Sequence, residues 1–115
     1  MYARIKAAVQ AAGYPCYDPG CQAGRCVSPY VVVHDQGTTP QPGTRGMLGQ
    51  RIYEIVCLVP NSKAAGLEPM TRAVAAALAP LSPLRPTGEK APAEIEQNYQ
   101  AQSMSMVYVM PVRLA

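Results

Sequence analysis

Residues 51–59 read RIYEIVCLV, and this stretch decides the fold of the chain. It begins by alternating apolar and polar side chains and ends as a continuous apolar run, which is typical of a central β-strand. Pro60 and Asn61 follow and terminate it. Upstream, residues 30–34 read YVVVH, a β-branched stretch that predicts a strand buried on both faces and ended by residues 35–37. The two strands are expected to pair antiparallel.

The connection between these strands, residues 38–49, is rich in proline and glycine. It contains few larger apolar groups, among them Met47 and Leu48. Loops of about 12 residues without structure of their own tend to be functional or disordered. The sequence therefore predicts a long hairpin-like loop here.

Two amphipathic helices flank the strands. The first spans residues 2–12 and is followed by Gly13, a natural helix stop. The second spans residues 67–81, tolerates Pro69 in its first turn and is broken by Pro80. Their apolar side chains recur at helical spacing: Tyr2, Ile5, Ala8, Val9 and Ala12 in the first; Leu67, Met70, Val74, Ala77, Leu78 and Leu81 in the second.

The remaining segments comprise two loops and two strands. Residues 14–29 are predicted to form a loop, residues 84–87 a short edge strand, and residues 88–97 a polar segment. Residues 102–114 alternate with period two, which predicts a strand. One face carries Met104, Met106, Tyr108 and Met110; the other carries Ser103, Ser105, Val107 and Val109. The change from serine to valine indicates that one end of this second face meets solvent and the other is covered by a helix or a neighbouring subunit.

These elements predict a single α+β domain over residues 1–115. Its mostly antiparallel sheet of about four strands packs against two helices and carries long Gly/Pro-rich loops. The length of 115 residues suits one modest core, and 12 prolines and 9 glycines favour long connections.

Charge and hydropathy narrow the classes of function. The net charge of +3 comes from basic residues scattered along the chain, unlike the clustered charge of a protein that grips nucleic acid through phosphates. No apolar run approaches the roughly 20 residues that cross a bilayer. The first residues lack the pattern of a secretory signal, so the chain is expected to be cytoplasmic, or built in the cytoplasm into something larger.

The sharpest local pattern is C-x4-C-x4-C, formed by Cys16, Cys21 and Cys26. Cys57 or His34 is a conceivable fourth ligand for a tetrahedral zinc. Zinc sites usually contain tighter knuckles, and two x4 spacings are only marginally compatible with one. The alternative is that Cys57 belongs to the core and the other three are free thiols, or one disulfide and a spare.

Catalytic equipment is not predicted. His34 is the only histidine, and Asp35 beside it points to the opposite face of a strand, where it cannot orient the imidazole. The acidic residues are dispersed, and the glycines of residues 43–46 lack the rest of a phosphate-binding motif. The chain is therefore expected to be neither an enzyme nor a cofactor-binding protein.

The order of the elements resembles that of the tail-terminator, or tail-completion, proteins of long-tailed bacteriophages. The resemblance covers nearly the whole chain and is one of layout. The segments that carry it are residues 28–33, 51–60, 67–81, 85–88, 92–95 and 104–109. The cysteine-rich loop of residues 16–26 departs from the family pattern, which leaves its role open.

The resemblance implies a virion protein of the tail and neck that is assembled in the host cytoplasm. Its copies would form a ring, usually a hexamer, that caps the tail tube and presents a surface to the head-completion proteins of the neck. DNA would pass through the ring without sequence-specific binding, and no membrane would be involved. The interface candidates are Thr39, Arg45 and Met47 in the loop, Arg51 at the start of the strand after it, Glu94 and Glu96 in the polar segment of residues 88–97, and Val107 and Val109 on the last strand.

Two alternatives stay open. Another virion role, such as a head-completion or minor capsid subunit, would use a similar fold. A small Cys-rich zinc-binding interaction module belongs to a different class. For Arg45 and Arg51, pairing with acidic partner surfaces competes with the simpler reading of solvated loop charges.

Overall fold

The computed structural model describes residues 1–19, 26, 28–40, 48–90, 94–96 and 101–113, with only the backbone described for Lys90 and Glu94–Glu96. Two α-helices and a mixed sheet confirm the α+β class. The elements in chain order are α1 (Tyr2–Ala11), β1 (Cys16–Tyr17), β2 (Tyr30–Pro40), β3 (Leu48–Pro60), a 3-10 helix (Asn61–Gly66), α2 (Leu67–Leu78), β4 (Arg85–Lys90), β5 (Glu94–Glu96) and β6 (Ala101–Arg113).

The strands lie in the order β1-β2-β3-β6-β4, and β5 pairs with β6 beside β4. The strand predicted from residues 51–59 is β3, and it is central as expected. It pairs antiparallel with β2 on one side and with β6 on the other. Only β1 is parallel to its neighbour, β2. The sheet exceeds the predicted four strands because β1 and β5 are short additions at its margins.

Both helices pack on one face of the sheet. Val33, Ile55 and Met106 lie side by side on that face, in register across β2, β3 and β6. They form the main core with buried side chains of both helices. The methionine face of β6 therefore points to the helices, and the alternation predicted for this strand is confirmed. The helix residues in this core are Ile5, Val9, Leu67, Met70, Val74 and Leu78.

Helix α1 ends in a Schellman motif. The Gly13 N–H donates to the Gln10 carbonyl and the Tyr14 N–H to the Val9 carbonyl, at 3.0 and 3.3 Å. Gly13 adopts φ = 98°, a conformation that glycine enters without the steric cost of a Cβ. The predicted stop at Gly13 is thus confirmed.

Strand β2 does not end at residues 35–37, so that prediction was wrong. Asp35 pairs with Tyr53 and Gly37 with Ile52, which leaves Gln36 as the extra residue of a β-bulge. Gly37 has φ = 90°, and its N–H donates to Asp35 Oδ1 at 2.9 Å. A glycine that reads as a strand end in sequence here allows the strand to continue to Pro40.

The longest strands are more than twice as long as helix α2. At about 3.3 Å per residue, the 13 residues of β3 or β6 span about 43 Å, whereas the 12 residues of α2 span about 18 Å. The molecule is accordingly elongated, with extents of 49 × 26 × 23 Å. We call the part of the sheet formed by residues 37–40, 48–51 and 110–113 the arm. Much of the predicted loop at residues 38–49 is therefore strand, and residues 41–47 lie outside the described residues.

Two burial predictions need correction. Val31 and Val33 are fully buried, but His34 is exposed and Val32 half-buried, so this segment is not buried on both faces. Ser103 is buried although the serine end of its face was expected to meet solvent. A small second cluster of Cys26, Tyr30, Leu58 and Ala101 forms on that face and end of the sheet. Within the residues described, no helix is long and apolar enough to span a membrane.

Candidate functional site

The sheet face opposite the two helices is the first candidate surface. We call it the helix-free face, since no described helix packs on it. In register across β2, β3 and β6, its rows read Val32, Val56, Ser105 and then His34, Glu54, Val107. All six except His34 are half-buried. The face combines β-branched apolar side chains with a few polar groups, which is the composition of a sheet surface that another chain can cover.

Val107 and Val109, two of the predicted interface residues, lie on this helix-free face. Val109 is 8% exposed, and Val107 is half-buried opposite Glu54. Ile52 is the cross-strand neighbour of Val109. The helices cover the face of β6 that carries Met106 and Tyr108, and Val107 lies on the other face.

An ion pair that the sequence analysis did not predict lies at the base of the arm, between Asp35 and Arg51. Arg51 Nε donates to Asp35 Oδ1 and Oδ2 at 3.0 and 3.1 Å, and its Nη2 also contacts Oδ2. These hydrogen bonds from Arg51 are the main cause that holds the pKa of Asp35 below its ordinary value. The sequence left two alternatives for Arg51, an acidic partner surface or a solvated loop charge; in the structure Arg51 binds a carboxylate of its own chain. It fastens β3 to β2 at the bulge.

Replacing Asp35 by asparagine should lower the free energy of unfolding by about 0.5–1 kcal/mol at pH 7, the magnitude of a partly exposed ion pair. Asparagine keeps an oxygen for the Gly37 N–H, so the change removes mainly the charge. Because the folded-state pKa of Asp35 is lowered, its contribution is present above the unfolded pKa near 4 and is lost as pH falls through the folded value.

Urea denaturation of both proteins at pH 7 and pH 2.5 measures this difference. Asp35→Ala is the companion variant, and it should cost more at both pH values because it also removes the acceptor of the Gly37 N–H. A difference between wild type and Asp35→Asn that grows on acidification would contradict the assignment.

An apolar pocket of about 350 Å³ lies between the end of α2 and β4, on the helix side of the sheet. Its walls are Ala75 of α2 and Ala79, the C-cap residue of that helix, and its floor includes Met106 and Tyr108 of β6. Glu89 supplies the one acidic side chain of its lining. The full lining is Ala75, Ala79, Pro86, Gly88, Glu89, Met106, Val107 and Tyr108.

Strand β4 is an irregular edge. Pro86 pairs with Tyr108 and Lys90 with Met106, so that three residues of β4 lie opposite Val107 alone. Thr87 Oγ1 donates to the Val107 carbonyl at 3.0 Å and accepts the Glu89 N–H at 3.1 Å, while Gly88 turns at φ = 87°. A proline and a bulge make an edge unsuitable for further strand pairing. This edge of the sheet therefore disfavours continuation into another molecule.

The cysteines proposed as zinc ligands are not brought together. Cys16 pairs in register with Val31 and belongs to the core under the helices. Cys26 packs with Tyr30 and Leu58, whose side chains lie on the opposite face of the sheet. Cys21 lies outside the described residues. Among those that are described, no group of three His, Cys, Asp or Glu residues could hold a metal ion.

Cys57 is a core residue, as one of the two sequence readings had it. It is fully buried in β3, and burial raises the pKa of its thiol to about 11. Val31 lies between Cys16 and Cys57 in the register, which separates their Cα atoms by two strand spacings, roughly 10 Å. This exceeds the reach of a disulfide, which needs Cα atoms within about 7 Å.

Addition of a strong chelator should leave the melting temperature unchanged within about 1 °C, because Cys16 and Cys26 occupy separate clusters on opposite faces. Thermal unfolding followed by circular dichroism, with and without the chelator, measures this. Elemental analysis of the purified chain is the companion measurement. Loss of the fold on chelation, with one zinc per chain, would instead restore the metal module.

The other predicted interface residues are distributed as follows. Thr39 is exposed in the arm opposite Gln50. Arg45 and Met47 lie outside the described residues. Glu94 and Glu96 belong to β5 and pair through their backbones with Ser103 and Ala101. The exposed His34 faces Glu54 across the strand pair rather than Asp35.

Sequence reasoning missed the pocket and the arm. The pocket forms where α2 and β4, which are near each other in sequence, meet β6 further along the chain, so no local pattern indicates it. The arm had one signal in the sequence: Leu48, which with Met47 is a larger apolar residue in a Gly/Pro-rich stretch. Its side chain is 44% exposed at the start of β3.

No protein-family model matches the chain, and no curated protein matches its sequence.

Proposed function

We propose that this chain is a structural subunit of a bacteriophage virion, a tail terminator whose copies form a ring that caps the tail tube and joins it to the neck. The ring would be hexameric, as in the family that the layout resembles. DNA would pass through its channel without sequence-specific contacts. The subunit would have no catalytic role and bind no cofactor.

The observation that supports this proposal is the helix-free face together with the arm. Two short helices cover only part of one side of a long sheet, and on the other side Ile52, Val56 and Val107 keep part of their surface exposed. An assembly subunit needs such a rigid sheet with uncovered surface. The half-buried apolar side chains of Ile52, Val56 and Val107 would gain further burial in a ring.

Three polar or titratable side chains in the described part of the chain have structural roles, which is compatible with a scaffold. Asp35 binds Arg51 and the Gly37 N–H at the bulge. The Thr71 hydroxyl donates to the Leu67 carbonyl at 2.9 Å inside α2. Cys57 is buried beneath that helix, with a thiol whose pKa is raised. Each of these three groups has a partner or an environment that accounts for its position without a catalytic role.

The test is the solution mass of the purified chain, alone and mixed with tail tubes that lack a terminator, followed by electron microscopy of the mixture. We expect a ring at one end of each tube. A chain that ignores tubes but binds the neck end of filled heads would instead be a head-completion protein. A chain that binds neither would refute the virion role.

A further inference from the structure

We infer that the tip of the arm of one copy docks in the apolar pocket of the next copy, so that the chain associates head to tail. The inference extends the proposed function and rests on one part of it, namely that copies of the chain associate with one another. It names the two surfaces that meet: Leu48 with Arg113 on the arm, and the pocket between α2 and β4 with Glu89 on its lining.

The arm offers an apolar projection. Leu48 is the exposed large hydrophobic residue of the described chain, with 44% of its surface accessible. It lies at the start of β3, in the arm that extends beyond the helices. Its cross-strand neighbour is Arg113, whose exposed side chain lies on the same face. Among the described residues, this end of the arm thus presents a branched aliphatic group next to a positive charge.

The pocket offers the matching recess. A volume of about 350 Å³ equals the share of roughly a dozen water molecules in the liquid, which is more than the four side-chain carbons of a leucine occupy. Ala75, Ala79 and Met106 give it an apolar lining, and exposed Glu89 adds a negative charge. The pocket therefore matches the tip in both polarity and charge.

The two surfaces cannot meet within one chain. Arg113 marks the tip on β6, whereas Tyr108 and Met106 form part of the pocket floor five and seven residues earlier. At about 3.3 Å per residue these positions are roughly 17–23 Å apart along the strand. Leu48 also lies on the helix-free face, while Met106 and Tyr108 face the helices.

A contact between two different surfaces of identical chains is heterologous, and such contacts generate a ring where the rotation closes and a filament where it does not. The irregular edge at β4 disfavours strand pairing between copies at that edge of the sheet. Tip-into-pocket docking is thus the association that these side chains favour.

A charge swap in the full chain tests the inference. Leu48→Asp, Arg113→Glu and Glu89→Arg should each raise the dissociation constant of self-association by about tenfold or more, since each places a mismatched charge in the contact. The double variant Glu89→Arg with Arg113→Glu should recover to within about threefold of wild type. Lys63→Glu, an exposed change in the 3-10 helix, is the matched control and should have no effect.

Sedimentation equilibrium over a range of concentrations measures the association, and circular dichroism verifies that each variant is folded. A wild type that stays monomeric throughout, a Leu48→Asp protein that associates normally, or a double variant no better than its parents would each overturn the inference. Imaging with tail tubes separates the two proposals. If the Leu48→Asp variant still forms rings that cap tubes, the docking proposal is refuted and the proposed function stands. If the wild type associates through Leu48 but does not bind tubes, the proposed function is refuted and the docking proposal stands.

Discussion

Ile55→Ala is expected to lower the free energy of unfolding by about 3 kcal/mol, within the range of roughly 2–5 kcal/mol for removing a large aliphatic side chain from a core. Ile55 is fully buried in β3, between Val33 and Met106 in the register and beneath the helices. Its truncation removes three carbons from a packed layer, and the rigid sheet below limits how far the cavity can collapse.

The matched control is Ile52→Ala, the same substitution three residues earlier in the same strand. Ile52 lies on the helix-free face and is only half-buried, so the expected loss is about 1 kcal/mol. Urea denaturation of the two variants and wild type gives both values. Equal losses would mean that the helix-free face is packed as tightly as the core, which would contradict the assignment of the two faces.

Val107→Lys is expected to abolish ring formation and tube capping while leaving the fold intact. Val107 is half-buried on the helix-free face, directly opposite Glu54. A lysine there gains an opposite-charge cross-strand pair, worth about 0.2–1 kcal/mol, which offsets part of the lost apolar burial. In an assembled ring, the same charge would have to be removed from water within an apolar contact.

Met106→Lys is the comparison that separates the two faces of β6. Met106 is 3% exposed under the helices, and an unpaired charge there costs several kcal/mol, a large part of the net stability of about 5–15 kcal/mol that a domain has. We expect this variant to be largely unfolded by circular dichroism, whereas Val107→Lys keeps the wild-type spectrum. A Val107→Lys protein that assembles normally would remove the helix-free face from the proposed contacts. An unfolded one would show that the face is covered within the subunit.

Much of the fold could be predicted because it depends on local periodicity. The alternation of residues 102–114 separates Met106 from Val107 whatever the rest of the chain does, since successive side chains of a strand point to opposite faces. The apolar run of residues 51–59 indicates a central strand for a similar reason. Helical spacing with a stop at Gly13 defines α1, and the Schellman bonds at that residue are formed between neighbours in sequence.

The positions whose structure was predicted wrongly are those where residues distant in the chain determine the local structure. Gly37 after Asp35 reads as a strand end, but Arg51 on the next strand binds Asp35 and keeps the pairing in place through the bulge. Cys16 and Cys26 form a regular spacing, yet the parallel pairing of β1 with β2 puts the first under the helices. The second packs on the other face. Sequence spacing carries no information about which side of a sheet each residue meets.

The sequence by itself determined the type and order of the two helices and the four main strands, the central place of β3 and the two-faced character of β6, because each follows from short-range periodicity. Only the tertiary structure decided which face the helices cover, how far the strands extend beyond them, and that α2, β4 and β6 enclose a pocket. It also placed Leu48 at the tip of an arm. These features depend on contacts between elements and on the different lengths of the packed helices and strands. Local sequence patterns predict neither the contacts nor how far one element extends beyond another.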